Sequence, residues 1–151
     1  MDRTNFNIRV YGLLIDQGRI LVTDEYRLGI FMTKFPGGAL EYGEGTIDCV
    51  KREFMEELNT EIEILEHFYT TDYFQPTTLL PSEMQLINIY YLVSLNQPCH
   101  FPVTDKKFDF PEIVDGAQCF RWLKISELSA NEFTFPIDKN IVQKILLKFV
   151  H

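Results

Sequence analysis

The sequence predicts an α/β chain of the α+β kind, in which short strands are interrupted by two amphipathic helices. Three observations carry this reading. Short apolar runs separated by turn residues fill much of the chain, an acidic helix follows a Pro-Gly-Gly bend before residue 39, and a second amphipathic helix closes the sequence.

Taken in order, residues 6–15 and 20–24 are apolar runs separated by Asp16-Gln17-Gly18, which predicts a hairpin. Residues 32–35 read as a strand that ends where Pro36-Gly37-Gly38 makes the chain bend. Thr46 is then the expected N-cap of a helix in which Ile47, Val50, Phe54 and Leu58 recur on one face, a stripe that should bury against a sheet. Residues 62–74 predict another strand, and 84–95, apolar nearly throughout, a central one. A long loop follows over 96–116, a place for functional groups, and 117–123 is the last expected strand. Ser126 starts a short helical turn, and Pro136 precedes a closing helix with Ile137, Ile141, Ile145 and Phe149 at every fourth position.

At 151 residues and 46% hydrophobic content, one domain spanning 1–151 is expected, with little room for a second. A net charge of -8 argues against nonspecific binding to nucleic acid, which rests on clustered lysine and arginine. It is compatible with a small phosphorylated ligand, because bound cations reverse the local field. Cys49, Cys99 and Cys119 form no C-x-x-C pair, so neither a disulfide framework nor a zinc site is suggested, and a reducing compartment fits. The first ten residues hold no apolar signal core, and no apolar run is long enough to span a bilayer. A cytoplasmic protein with no membrane partner is the expectation.

The acidic helix carries the chemistry. It holds Arg52, Glu53, Glu56 and Glu57, and at 3.6 residues per turn the three glutamates share an arc of about 100°. Nine of the 22 acidic residues lie between Glu41 and Glu66 against only Lys51 and Arg52, so side-chain pairing cannot neutralise the stretch. Clustered carboxylates resist joint ionisation, whereas Mg²⁺ or Mn²⁺ would hold all three ionised.

Gly38, Glu44, Arg52, Glu53, Glu56 and Glu57, with Phe54 between them, fall on the fixed positions of G-x5-E-x7-R-E-U-x-E-E-x-G-U, where U is apolar. On these residues the chain resembles the Nudix hydrolases. The resemblance implies an α-β-α sandwich with a mixed sheet between helices. It also implies metal-dependent hydrolysis of a pyrophosphate bond in a nucleoside diphosphate linked to another group, ADP-ribose or a sugar nucleotide being favoured. A nucleoside triphosphate pyrophosphohydrolase and a noncatalytic nucleotide sensor are the alternatives, and a homodimer is compatible with either. By the same resemblance Glu53, Glu56, Glu57 and the Gly38 carbonyl are metal ligands, Glu44 is an accessory carboxylate, and Arg52 orients a glutamate. The general base is then Glu53 or Glu57, or an acid of the long loop, with Glu112 ahead of Asp109 and Asp115. Glu41, beside the turn, is an outer support. Two positions depart from the pattern: Asn59 replaces the box glycine and Thr60 the last apolar residue. Asparagine is the next most tolerant residue of the left-handed conformation that ends a helix, so the metal site should survive.

Phe31, Tyr42, Tyr73 and Phe74 are candidates to stack on a nucleobase, although most of the 13 Phe and 7 Tyr residues must serve the core. Tyr73-Phe74-Gln75-Pro76 followed by Glu83 is similar to the segment after the box in the ADP-ribose branch of the family. Arg121-Trp122-Leu123 with Ser126-Glu127-Leu128 resembles its final strand and following helix. His67, His100 and His151 are isolated and read as structural or solvent-facing. Cys49, a soft thiol, reads as packing.

Overall fold

The computed structural model describes residues 5–77 and 84–150, so Glu83 and His151 lie outside the described residues. Seven strands and two helices follow in the order β1 (Asn5–Asp16), β2 (Arg19–Arg27), β3 (Ile30–Lys34), β4 (Gly37–Ala39), α1 (Thr46–Leu58), β5 (Ile62–Thr70), β6 (Met84–Leu95), β7 (Ala117–Lys124) and α2 (Pro136–Phe149). The sheet is mixed. β1 runs parallel to β6, while β4 on β1, β5 on β6, and β3 and β7 on β2 are antiparallel. β1 meets β2 only beside their hairpin, at Ile15–Ile20 and Asp16–Arg19. Beyond it the two strands part, β1 continuing between β4 and β6 and β2 between β3 and β7.

Alternation along β1 divides the core into two layers, because successive side chains leave opposite faces of a strand. Tyr11 and Leu13 join Ile137, Ile141 and Ile145 of α2, whereas Val10 and Leu14 join Val50, Phe54 and Leu58 of α1. The sheet therefore lies between the helices, as expected. Gly12, between these positions, explains how close α1 comes: a Cβ there would stand 2.5 Å from Phe54 Cε2 and 3.3 Å from Val50 Cγ2.

Several local expectations need correction. Gly45, not Thr46, is the N-cap of α1, with its N–H held by the Asp48 carboxylate at 3.1 Å. Thr46 is the first helical residue, and its hydroxyl pairs instead with the Tyr91 hydroxyl at 2.6 Å. Ile47 and Phe149 are exposed although each continues an apolar stripe, because each lies in the terminal turn of its helix. Cys49 is buried instead, with its thiol 3.5 Å from the Ala39 carbonyl. β5 stops at Thr70 rather than running on through Phe74, and the expected bend at Gly37-Gly38 forms the short strand β4 on β1.

The two departures from the box are absorbed locally. Asn59 takes the left-handed conformation (φ 49°, ψ 43°) and its N–H closes α1 on the Met55 carbonyl at 3.0 Å. Thr60 is buried, its hydroxyl satisfied by the Leu58 carbonyl at 3.0 Å. Among the described residues no helix is long and apolar enough to cross a membrane.

The seating of α1 is open to test at Gly12. Gly12→Ala overpacks the contact with Phe54 and should lower the unfolding free energy in urea by about 1–3 kcal/mol. A variant as stable as the wild type would show that the helix is not held by this contact.

Candidate active site

Two glycine-dependent approaches set the box helix against the sheet, Gly12 under Phe54 and Gly38 under Glu53. A Cβ on Gly38 would fall 2.4 Å from Glu53 Oε1, so only glycine allows this carboxylate to lie on the β4 backbone. Beside it, Arg52 gathers the acidic residues. Its Nε and Nη2 donate to the two oxygens of Glu44 at 2.9 and 2.8 Å. Nη1 donates to Glu53 Oε1 at 3.0 Å and Glu56 Oε2 at 3.2 Å, and Nη2 also to the Ala39 carbonyl at 3.2 Å. Glu41 lies 3.7 Å away through its carboxylate, and its own N–H donates to Glu44 Oε1 at 2.9 Å. The hydrogen bonds from Arg52, and after them the one from Glu41, hold the Glu44 carboxyl down at about 2.

Glu57 belongs to a different environment. Burial foremost, then the Glu25 and Glu53 carboxylates, push its pKa up to about 7, against opposing effects from Lys34 and Gln118. Glu25 of β2 is buried, accepting from Thr23 Oγ1 at 3.2 Å and Gln118 Nε2 at 3.4 Å, and its Oε2 lies 3.4 Å from Lys34 Nζ. Sequence reading missed Glu25, Lys34 and Gln118, which three separate strands bring to the helix. The available signal was the acidic pair Asp24-Glu25 at the end of an apolar strand. Asp24 is explained structurally, since Arg121 Nε binds it at 2.6 Å; Glu25 leaves the other face of β2.

Among the described residues, no three His, Cys, Asp or Glu side chains form a ready-made metal cage. The donor chemistry nevertheless suits a hard divalent cation. All candidate ligands are oxygens, and Glu57, raised first by burial and then by the Glu25 and Glu53 carboxylates, would gain from a nearby cation. Glu56 is largely exposed and paired to Arg52. Burial foremost pushes the Cys49 thiol up to about 12, which makes it a packed thiol and not a nucleophile.

A cleft of about 390 Å³ opens where β1 and β2 part, with Arg9, Arg27, Lys34, Asn88 and Asp138 among its lining. Lys34 faces both this cleft and the carboxylates, through Glu25. The expected stacking residues lie elsewhere. Phe31 packs on Tyr26, Phe108 and Phe110 with ring centres 4.8, 5.1 and 6.4 Å apart, and Tyr42, Tyr73 and Phe74 are exposed outside the cleft lining. Glu112 is exposed on the long loop, outside the hydrogen-bonded box. Asp115 accepts the Leu28 N–H at 2.8 Å at the cleft rim, and Asp109 lies beside Cys119. His67 pairs with Thr70 Oγ1 at 2.8 Å and His100 with the Asn59 carbonyl at 3.2 Å, both away from the acids.

A family model described as NUDIX domain matches residues 5–145. The chain belongs to the NUDIX family. Membership places it among the pyrophosphohydrolases. Its fold is similar to that of a NUDIX hydrolase from Nitrosomonas europaea, at 19% identity over 95% of this chain and 90% of that one, with a TM-score of 0.66. The MutT protein from Methanosarcina mazei Go1 aligns over 100% of both chains at 15% identity and a TM-score of 0.68. An ADP-ribose pyrophosphatase from Streptococcus suis aligns over 93% of this chain and 87% of that one at 14% identity and a TM-score of 0.60. No curated protein matches the chain by sequence.

The raised pKa of Glu57 fixes a sign. A carboxyl lifted from 4.5 to about 7 in the folded state favours folding while protonated, and that contribution is lost as pH rises through about 7. In EDTA, Glu57→Gln should therefore gain on the wild type between about pH 5 and pH 8, by up to about 3 kcal/mol, seen as a widening difference in melting temperature. A difference that does not change with pH would remove this account of the site.

Proposed function

We propose that this NUDIX protein is a Mg²⁺- or Mn²⁺-dependent hydrolase that cleaves the pyrophosphate of a nucleoside diphosphate linked to another group, ADP-ribose or a sugar nucleotide being favoured. The observation that carries the reading is the position of Lys34, between the carboxylates Glu25 and Glu57 on one side and a cleft with Arg9 and Arg27 on the other. A diphosphate needs cations along its length and acidic ligands at the bond to be broken, and the two regions adjoin at this residue.

In this reading Glu53, Glu56, Glu57 and the Gly38 carbonyl hold the ion, which supplies Lewis acidity to the phosphoryl group. Arg52 keeps Glu44 and Glu53 oriented, since its fork of donors matches carboxylate geometry. Arg27 and Lys34 bind the phosphates and offset the charge that grows on them during attack by water. Glu112 is the loop base, and Glu53 and Glu57 are the alternatives within the box. A diphosphate alone underfills a cleft of about 390 Å³, which supports a substrate with a further group. The name of the Streptococcus suis neighbour supports ADP-ribose.

A metal-supplemented screen across nucleoside triphosphates, sugar nucleotides, dinucleoside polyphosphates and dinucleotide cofactors decides between them. ADP-ribose should give AMP and ribose 5-phosphate with a higher kcat/KM than release of pyrophosphate from any triphosphate. Preferential pyrophosphate release would transfer the assignment to the triphosphate class, and no cleavage of any substrate would end the hydrolase reading.

The base is tested separately. Glu112→Gln should lower kcat by roughly 10²- to 10⁴-fold with the metal dependence unchanged, and undiminished turnover would return the role to the box glutamates.

A further inference from the structure

The floor of the cleft holds a polar group that cleavage of the pyrophosphate leaves unexplained. Asn88 of β6 lies in register with Arg9 of β1, is 5% exposed, and lines the cleft with Arg9, Tyr11 and Asp138. Its backbone is satisfied by Thr71, the N–H donating to Thr71 Oγ1 at 3.0 Å and the carbonyl accepting from the Thr71 N–H at 2.9 Å. Its side-chain Nδ2 donates to the Tyr90 hydroxyl at 3.2 Å, and Tyr90 donates to Asp138 Oδ1 at 2.6 Å. Among the described residues, Asn88 Oδ1 is the buried side-chain polar atom with no partner.

The orientation of that amide follows from proton counting. A phenol has one proton to give, so Tyr90, having given it to the Asp138 carboxylate, must accept from Asn88. Burial foremost lifts Asp138 to about 6, and the hydrogen bond from Tyr90 opposes that rise. Nδ2 is thereby fixed toward Tyr90, and Oδ1 is left as an acceptor that nothing in the protein serves. Such an atom is costly to bury and gains most from a ligand that brings a donor.

Arg9 supplies the complement. Its Nε is committed to the Tyr11 hydroxyl at 2.6 Å, while its Nη groups make no hydrogen bond to described residues and serve an acceptor. Tyr11, Met32, Leu86 and Ile137 add apolar walls suited to a flat ring.

We propose that Asn88 and Arg9 read the amino edge of an adenine-type base, Asn88 Oδ1 accepting from the exocyclic amine and Arg9 donating to the neighbouring ring nitrogen. The assignment rests on the reading of the cleft as the substrate site. It puts the base on the cleft floor and leads the diphosphate past Lys34 toward Glu53 and Glu57. A ribose in the same place would gain little from the apolar walls.

Adenosine 5′-monophosphate and purine riboside 5′-monophosphate differ only by that amine, and calorimetry on the metal-free protein measures its effect without turnover. The wild type should bind the adenine nucleotide at least about tenfold more tightly. Asn88→Leu should fold and melt at or above the wild-type temperature, since it removes the unpaired acceptor, and should bind the two nucleotides within about twofold of each other. Tyr90→Phe, which frees the amide to turn, should likewise lose the preference while still binding both. Equal affinities in the wild type, no binding of either nucleotide, a preference that survives in both variants, or an Asn88→Leu effect on ribose 5-phosphate equal to that on the adenine nucleotide would each overturn the assignment. A protein that cleaves pyrophosphates but fails this test loses only the base contact. One that passes it and cleaves nothing keeps the contact and loses the proposed reaction.

Discussion

The Arg52 guanidinium is the interaction on which the site depends. One planar cation donates to Glu44, Glu53, Glu56 and the Ala39 carbonyl, and so ties the β4–α1 loop to the helix that follows it. Exposed ion pairs contribute little, because water and salt screen them and two mobile chains must be ordered. Arg52 differs in being largely covered and in sharing its donors among several acceptors, two of them the oxygens of a single carboxylate. Lysine in the same place would be a point charge without the fork that fixes these angles.

Arg52 leaves one glutamate out. Glu57 faces Glu25 and Lys34 across the helix edge, in a buried setting where carboxylates oppose one another. The box thus contains a neutralised half, built by Arg52, and a strained half, which a cation would relieve. The same division puts the exposed Glu56 and the buried Glu57, adjacent in the chain, in different surroundings.

The sheet places these halves beside the cleft. Because β1 and β2 separate after two residue pairs, side chains of β1, β3 and β6 come to line one opening, with the start of α2 closing its far side. Lys34, the last residue of β3, reaches both regions. The Asn88–Tyr90–Asp138 chain lies deeper, joining β6 to α2 through hydrogen bonds between residues far apart in sequence. The Lys34–Glu25 pair is the contact that links the cleft lining to the acidic side of the helix.

The sequence by itself determined the box and most of the elements. Arg52, Glu53, Glu56 and Glu57 were legible because a helix converts fixed spacing into fixed direction, while Gly38 and Glu44, which precede the helix, were legible from the spacing of the motif. β6 was legible to its ends because its run is apolar nearly throughout, with Gln85, Asn88 and Ser94 as the polar exceptions. Asn59 was legible as a helix end for a backbone reason that needs no neighbour. Ile47 and Phe149 misled because periodicity shows which face a residue takes but not where the covering sheet stops. The aromatic candidates are a different case, since nothing local separates a ring that packs on Phe108 from one that meets a ligand. Glu25, Lys34, Arg9, Gln118 and Asn88 were decided by tertiary structure alone. They come from five strands, and only the register of the sheet and the parting of β1 from β2 determine that they meet.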